Sequence, residues 1–452
     1  MPNHVIRRGL DIPIAGAATG TAVELAVPSQ VSIDPREFRG VVPRLAARAG
    51  DVVQQGSPLF YSKSHPEMKY LASGGGTVAE VRRGSRRVIT DVVVNVDADS
   101  QACTFKQWSS SDLGTIQRAD AQAQLLAGGL WFGLRERPLS RVANPDDTPQ
   151  SILICGTETG PAQPSPSDLL AADANASIQA GVQVLASLCG GKIFLTQLDG
   201  ASNGAFQGLT GVEVHTFKGK HPAGDATVQI NYIDPPRGQH KVWYIDVVDV
   251  ARIGRLFLEG RYPGDKVYAA VGTGVASPRL VRTLVGAPVK DIVGDVRGDN
   301  LRWISGSVLT GERIDENKFG GWYTSAVHVL PDEIPRRLFG WMMPSFGMWS
   351  AHRAFLSGFL GAGKPKDLRP GIQGGLRGLV PVNAYRRVVA TPDIEPDFLM
   401  KALSAGDLEE SISLGMLDMS EEEAALCTYV CPSKIEFDVL LRQGLELYEK
   451  EI

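Results

Sequence analysis

The residue types best suited to chemistry sit near the end of the chain, in Cys427-Thr-Tyr-Val-Cys431-Pro432. Cysteine followed by proline is how many iron–sulfur ligand runs end, and a cluster is held by four thiolates. Glu410 to Ala425 supplies no further cysteine, and Cys103, Cys155 and Cys189 fall in other parts of the chain. The Cys427/Cys431 pair is therefore expected to be two buried small residues, a vestigial cluster motif, with no metal on this chain. Lys218-Gly-Lys-His221-Pro-Ala-Gly224 sets an imidazole beside two lysines. With no second histidine or carboxylate cluster at ligand spacing, it reads as a surface loop. Leu338 to Trp349 gathers two Trp, two Phe and three Met in twelve residues. That density suits an adaptable contact surface or an apolar ligand such as a quinone ring, and equally a core segment. Trp341, Met342, Met343, Phe346 and Trp349 are the candidate quinone or partner surface. No Ser-His-Asp, paired-carboxylate or P-loop arrangement stands out, so no catalytic residue is assigned.

Several units must carry these residues, because 452 residues exceed the size at which one core stops growing, about 250–300 residues. From about Val41 to Val96 the chain reads as short strands separated by glycine, with Gly50 to Gly56 and Ser73 to Val78 as turns. Ala49-Gly-Asp-Val-Val-x-x-Gly-x-x-Leu59, followed by a Gly-Thr-Val turn, resembles the barrel-sandwich fold of biotinyl and lipoyl carrier domains. In such a fold Lys69 could be a swinging arm; the plainer reading is a solvated lysine on a connecting loop.

Next, Ile152 to Cys155 and Lys192 to Thr196 are apolar runs flanking a helical pattern from Asp168 to Leu188. That is a βαβ unit with parallel strands. The loop Gly156-Thr-Glu-Thr-Gly160 follows the first strand, where open α/β sheets bind ligands, but it is not a G-x-G-x-x-G fingerprint. Pro161, Pro164 and Pro166 remove donors a phosphate would need, so a structural turn is expected. Asp246 to Glu259 reads as a helix, Asp265 to Leu309 as a second β-rich module, and Glu395 onward as helical, with Lys364 to Gly378 a loop or linker.

Composition narrows the partners. Forty-six Lys and Arg against fifty Asp and Glu give a net charge of −4, which provides no basic field for nucleic acid. Five cysteines, an odd number, suggest no disulfide framework and a reducing cytosol. The start, Met-Pro-Asn-His-Val-Ile-Arg-Arg-Gly, lacks the order of a signal peptide. The longest apolar stretch, Leu338 to Leu360, is interrupted by Pro344, His352 and Arg353, so no bilayer-spanning segment is expected. A protein of this kind is held at a membrane by partners.

Several separated segments together resemble one family. Ile6 to Gly16, Arg83 to Val88, Pro222 to Gly224, Pro278 to Thr283, Ile304-Ser-Gly-Ser-Val-Leu-Thr-Gly311, Phe339-Gly-Trp-Met-Met-Pro344 and Leu426 to Pro432 look like successive parts of the A subunit (NqrA) of the sodium-translocating NADH:quinone oxidoreductase. The likeness spans nearly the whole chain. The family is related to the C subunit of the Rnf complex and, more distantly, to the flavin-binding subunit of respiratory complex I. One departure is Ala226-Thr-Val-Gln-Ile-Asn-Tyr232, where the family usually has a Gly-Thr-His-x-His run.

The resemblance implies a multidomain α/β and α+β chain. Its parts would be a barrel-sandwich β domain with flanking segments over 1–100, a Rossmann-like domain over 101–255 and a β-grasp domain of the SLBB type over 256–330. A linker or interface segment over 331–378 and a helical domain like a cluster-less ferredoxin over 379–452 would follow. It further implies a peripheral protein on the cytoplasmic face of the bacterial inner membrane, partnered by the other Nqr subunits (B to F) and above all by the membrane-embedded B subunit. The complex uses NADH, FAD, FMN, riboflavin and iron–sulfur centres to reduce ubiquinone while exporting Na⁺. This chain is expected to carry none of these groups, with ubiquinone as its candidate ligand. The rival reading is a flavin- or cluster-bearing carrier of the Rnf C type.

Overall fold

The structure is a computed structural model describing residues 1–170, 174–200, 204–236, 238, 240–333, 338–339, 342–344, 349–351, 353, 355–360, 364–368 and 383–451. The glycine-punctuated run near the start folds into two small antiparallel sheets. One orders Gln30–Ile33, Ile89–Val96, Gly76–Arg83 and Val52–Val53; the other orders Pro43–Leu45, Pro58–Ser62 and Lys69–Leu71. Gly76 is obligatory at the turn into its strand: its φ is +150° and a Cβ there would meet Asn95 O at 1.9 Å. Lys69 pairs with Tyr61 inside a strand and is partly buried. The loop expected there is absent because Tyr70 and Leu71 are drawn into the core on either side of the strand, with Phe60 stacked on Tyr70 at 4.8 Å. This is not the hairpin tip that a swinging-arm lysine requires.

The expected βαβ unit is present. Ser151–Cys155 and Ile193–Leu198 pair in parallel, starting at Ile152 opposite Ile193, with helix Ala174–Leu188 between them. Glu213–Lys218 and Val242–Asp246 extend the sheet in parallel on either side. Asn3–Val5 adds a parallel edge strand, and Arg135–Arg137 with Arg141–Val142 an antiparallel edge. Helix Ala174–Leu188 packs tightly on helix Val247–Glu259: a Cβ at Gly254 would lie 1.8 Å from Ser177 O, and one at Gly181 2.2 Å from Val250 O. Strand Ser151–Cys155 lies between Ile193–Leu198 and Val242–Asp246, so successive connections leave it in opposite directions. The crevice at such a switch point opens at the carboxyl ends of the strands, here Cys155 and Asp246.

The third sheet orders Glu312–Ile314, Leu301–Ser305, Ala326–Pro331, Asp265–Val271, Arg279–Leu284 and Val23–Glu24. Helices Pro396–Ala405, Leu408–Ser413, Glu421–Val430 and Phe437–Glu451 then enclose a separate core that includes Leu399, Met400, Met416, Phe437 and Leu441. The first three modules share one aromatic core. Phe38 lies 4.5 Å from Phe132 and 6.1 Å from Trp322, ring centre to ring centre. Of the stretch Lys364 to Gly378, residues 369–378 lie outside the described residues, while Lys366 is tied to the N-terminal segment through Ala15 N and Pro13 O.

Candidate functional site: a polar cleft between the modules

A cleft of about 540 Å³ opens at the switch point, and every module contributes to its wall. Asp34 and Glu37 come from the first module; Glu158, His221, Asp225 and Asp246 from the α/β sheet; Ser307, Thr310 and Lys318 from the third; and Glu421 with Glu422 from the C-terminal helices. The lining is dominated by charged and hydroxyl side chains. Arg135 enters between two rings, with its guanidinium 4.6 Å from the Tyr244 centroid and 5.0 Å from that of Tyr323.

Backbone donors at the turn and helix starts of the cleft are taken by the chain's own carboxylates. Glu158 accepts from the amides of Thr159, at 2.7 Å, and Gly160. Asp246 caps helix Val247–Glu259 through Val248 N at 2.8 Å, and Asp225 caps helix Ala226–Ile233 through Thr227 N at 2.9 Å. Glu37 accepts from Trp322 N at 2.8 Å. Helix N-termini and turn amides are the donors a nucleotide phosphate would use. With carboxylates seated on them, this donor set does not fit a flavin nucleotide or a dinucleotide.

Crowding and burial shift these acids. Burial raises Glu37 and Glu158 to about 7, and burial with the neighbouring Asp249 raises Asp246 to about 6. His221 moves the other way from a lone buried histidine. Burial alone would depress its pKa, but Glu422, at 3.3 Å, outweighs that and raises it. Glu422 in turn is held below the usual carboxylate range despite its burial, by His221 and by the hydroxyls of Thr310 (2.6 Å) and Ser307 (3.4 Å).

Three consecutive glutamates at one helix start join the modules. Glu421 binds Arg39 of the first module at 2.7 Å and Arg442 of the last helix; Glu422 binds His221 and Thr310. Glu423 closes a capping box with Ser420 and accepts from Ala390 N at 2.7 Å and Thr391 N at 2.8 Å. A helix N-terminus stabilises this local concentration of negative charge.

One sequence reading changes here. Lys218, Gly219 and Lys220 of the His221 loop are exposed as expected, but His221 itself is 3% exposed and faces the cleft, tied to the Gly156–Gly160 turn by Thr159 Oγ1 at 3.3 Å from Nδ1. That turn does stand at the ligand end of the sheet, but as a carboxylate-plugged one. Nothing in the local sequence points to Glu37 or Glu422, whose partners in the cleft are remote in the chain, while Asp246 shows only as the start of the expected helix and caps it locally through Val248 N; the run Glu421-Glu-Glu shows only as an amphipathic helix.

Cys427 and Cys431 are buried in the C-terminal core, where the Tyr385 hydroxyl donates to Cys431 Sγ at 3.0 Å. Among the described residues, no three His, Cys, Asp or Glu side chains are grouped to hold a metal ion. Of the candidate quinone or partner surface, Trp341 and Phe346 lie outside the described residues. Met342 and Met343 are exposed, and Trp349 Nε1 donates to Tyr429 OH at 2.8 Å. Among the described residues no helix is long and apolar enough to cross a membrane.

A barrel-sandwich module, an open α/β sheet, a third β-rich module and a helical tail around one polar cleft define a multidomain scaffold whose nucleotide-type crevice is self-occupied. Residues 4–97 match the NqrA N-terminal barrel-sandwich hybrid domain, 116–262 the NqrA second alpha/beta domain, and 267–316 the NQRA C-terminal domain. Over 448 residues, covering 99% of each chain, the protein is 36% identical to the A subunit of the Na(+)-translocating NADH-quinone reductase of Vibrio atlanticus (strain LGP32). It is 36% identical to that of Pasteurella multocida (strain Pm70) and 35% to that of Vibrio alginolyticus, again with 99% of each chain covered. The chain belongs to the family of A subunits of the Na⁺-translocating NADH-quinone reductase. These relatives give no support to the Rnf C alternative. A solved NAD⁺-reducing [NiFe]-hydrogenase overlaps 51% of this chain and 52% of its own at 16% identity and a TM-score of 0.35, which fixes neither fold nor function.

Proposed function

We propose that this chain is a peripheral component of a Na⁺-translocating NADH:ubiquinone reductase, which reduces ubiquinone to ubiquinol with NADH and couples that to Na⁺ export from the cytoplasm. The observation that carries this reading is identity at 35–36% along the whole length of the NqrA relatives. The chain's own part is to scaffold. Its modules are locked through Glu421, Glu422 and Glu423, and the redox groups (FAD, FMN, riboflavin and iron–sulfur centres) sit elsewhere in the complex. It is placed on the cytoplasmic face of the bacterial inner membrane, with the membrane-embedded B subunit as its first partner among B to F. The segment holding Trp341, Met342, Met343, Phe346 and Trp349 is the face turned to the membrane and its ubiquinone. The cleft's charged lining is a poor match for an isoprenoid quinone, whereas exposed methionines such as Met342 and Met343 suit one. The test is reconstitution: membranes lacking this protein should regain Na⁺-stimulated NADH:quinone reductase activity when the purified chain is added. Failure with correctly folded protein rejects the assignment.

A further inference from the structure

We infer that the arginine-rich tip of the hairpin between Gly76–Arg83 and Ile89–Val96 docks an acidic segment of another subunit through guanidinium–carboxylate pairs. The inference rests on the reading of the chain as one component of a membrane complex, and it names the chemistry of a surface through which the chain is held there.

Three observations carry it. First, the tip is basic and its charge is unmatched. Arg82, Arg83, Arg86 and Arg87 fall within six positions, and no acid lies between Glu80 and Asp91, in a chain of net charge −4. The two flanking acids are engaged, Glu80 by Arg82 at 2.6 Å and Asp91 by Lys318 at 3.6 Å. Arg83, Arg86 and Arg87 are exposed and have no carboxylate partner among the described residues.

Second, the turn carries arginine where its backbone favours other residues. Val88 N donates to Ser85 O at 3.2 Å and Gly84 N donates to Val88 O at 2.8 Å, which closes the hairpin. The two central residues, Arg86 at φ +53° and Arg87 at φ +60°, are both left-handed, as in a type I′ turn. Asn-Gly suits those positions, whereas a side chain such as arginine is strained there and, being exposed, adds nothing to the core. Strain of this kind collects where the strained residues bear the functional groups. The third guanidinium is drawn to the same turn, since Arg83 Nη1 donates to the Arg87 carbonyl at 3.1 Å.

Third, the make-up of the tip favours protein carboxylates over a bilayer. All four cations are arginine, whose planar fork takes a carboxylate through two parallel hydrogen bonds; lysine would serve a diffuse surface field equally well. Stable attachment to a bilayer also needs apolar side chains beside the cations, and Val88 is the only large apolar residue exposed between 82 and 90. The Arg82 guanidinium lies 5.9 Å from the Phe319 ring centroid and ties the hairpin to the third module. Exposed ion pairs are individually weak, so a surface of this kind governs how fast and in what orientation its partner arrives.

The experiment pairs fluorescence anisotropy of a labelled polyglutamate peptide on the purified full chain with capture of detergent-solubilised membrane subunits by the same chain, each at low and high salt. The double variant Arg86→Asn, Arg87→Gly supplies the residues the turn prefers, so it should melt at or above the parent temperature. It should nonetheless bind the peptide about tenfold more weakly at low salt, capture the subunits more weakly, and lose less of its binding when salt is added. Arg83→Gln, outside the turn, should weaken both severalfold and melt with the parent. Lys401→Asn, which removes an exposed cation from helix Pro396–Ala405, should leave both unchanged. Peptide binding or subunit capture by the double variant equal to that of the parent overturns the inference. So does binding of the parent to phosphatidylglycerol vesicles without binding to the peptide, which would give the surface to lipid. If the parent captures no subunit at all, the functional assignment has failed, and the peptide alone decides whether the hairpin docks carboxylates.

Discussion

His221 Nε2 stands 3.3 Å from Glu422 Oε2, joining a loop of the α/β domain to the first turn of a C-terminal helix across 201 positions of sequence. Because His221 is almost fully buried, removing its counter-charge leaves an uncompensated cation. Glu422→Gln should cost about 2–4 kcal/mol in urea unfolding, below the top of the range for buried pairs because Glu422 keeps some solvent contact. The pH dependence has a definite sign. His221 is raised above its ordinary 6.5, so its contribution is complete below about pH 6.5 and fades as the pH climbs through the folded value. Glu422→Gln should erase that decline; an unchanged slope would contradict the pairing.

Glu37 and Glu158 act in the same sense, at lower pH. Each is raised from 4.5 to about 7, so the unfolded chain ionises first and stability falls as the pH rises through that window. Glu37→Gln should therefore stabilise the protein at pH 8 by on the order of 1–2 kcal/mol, and leave it unchanged at pH 4. Thermal melts at the two pH values check this.

Gly254 faces Ser177 O with no room for a methyl group. Alanine would gain up to about 1 kcal/mol in helix propensity but forces the two helices apart, so Gly254→Ala should be destabilising overall by about 1–3 kcal/mol. Gly190, where an added methyl group would meet nothing within 4 Å, should accept alanine within about 0.5 kcal/mol. Denaturant titration of both variants contrasts a filled contact with open space.

Cys427 and Cys431 have no exposed surface, and burial pushes the Cys427 thiol well above its usual range. Both should resist a thiol reagent in the native protein and react only as fast as the chain unfolds. Rapid native labelling at either position, detected by peptide mass, would show that the C-terminal core is open.

What is legible in the sequence is local. Apolar runs and helical spacing locate the βαβ unit from Ser151 to Leu198, the helix after Asp246 and the helical tail, because those elements bury faces that their own periodicity writes out. Family segments such as Ile304 to Gly311 extend this to the order of the modules. The cleft is not legible. Glu37 meets the amide of Trp322 across 285 positions, and Asn3–Val5 pairs with Glu213–Lys218 far down the chain. Such pairings are decided by how modules pack, so His221 reads as solvent-facing, like the exposed Lys218 and Lys220 before it, although Glu422 of a C-terminal helix covers it.

The most direct test of the central claim is affinity capture of the tagged chain from gently solubilised native membranes, with NADH:quinone reductase activity measured in the eluate with and without sodium. Co-purification of the membrane subunits with sodium-stimulated activity is the predicted result. Recovery of the chain alone, under conditions in which membrane complexes survive, would contradict it.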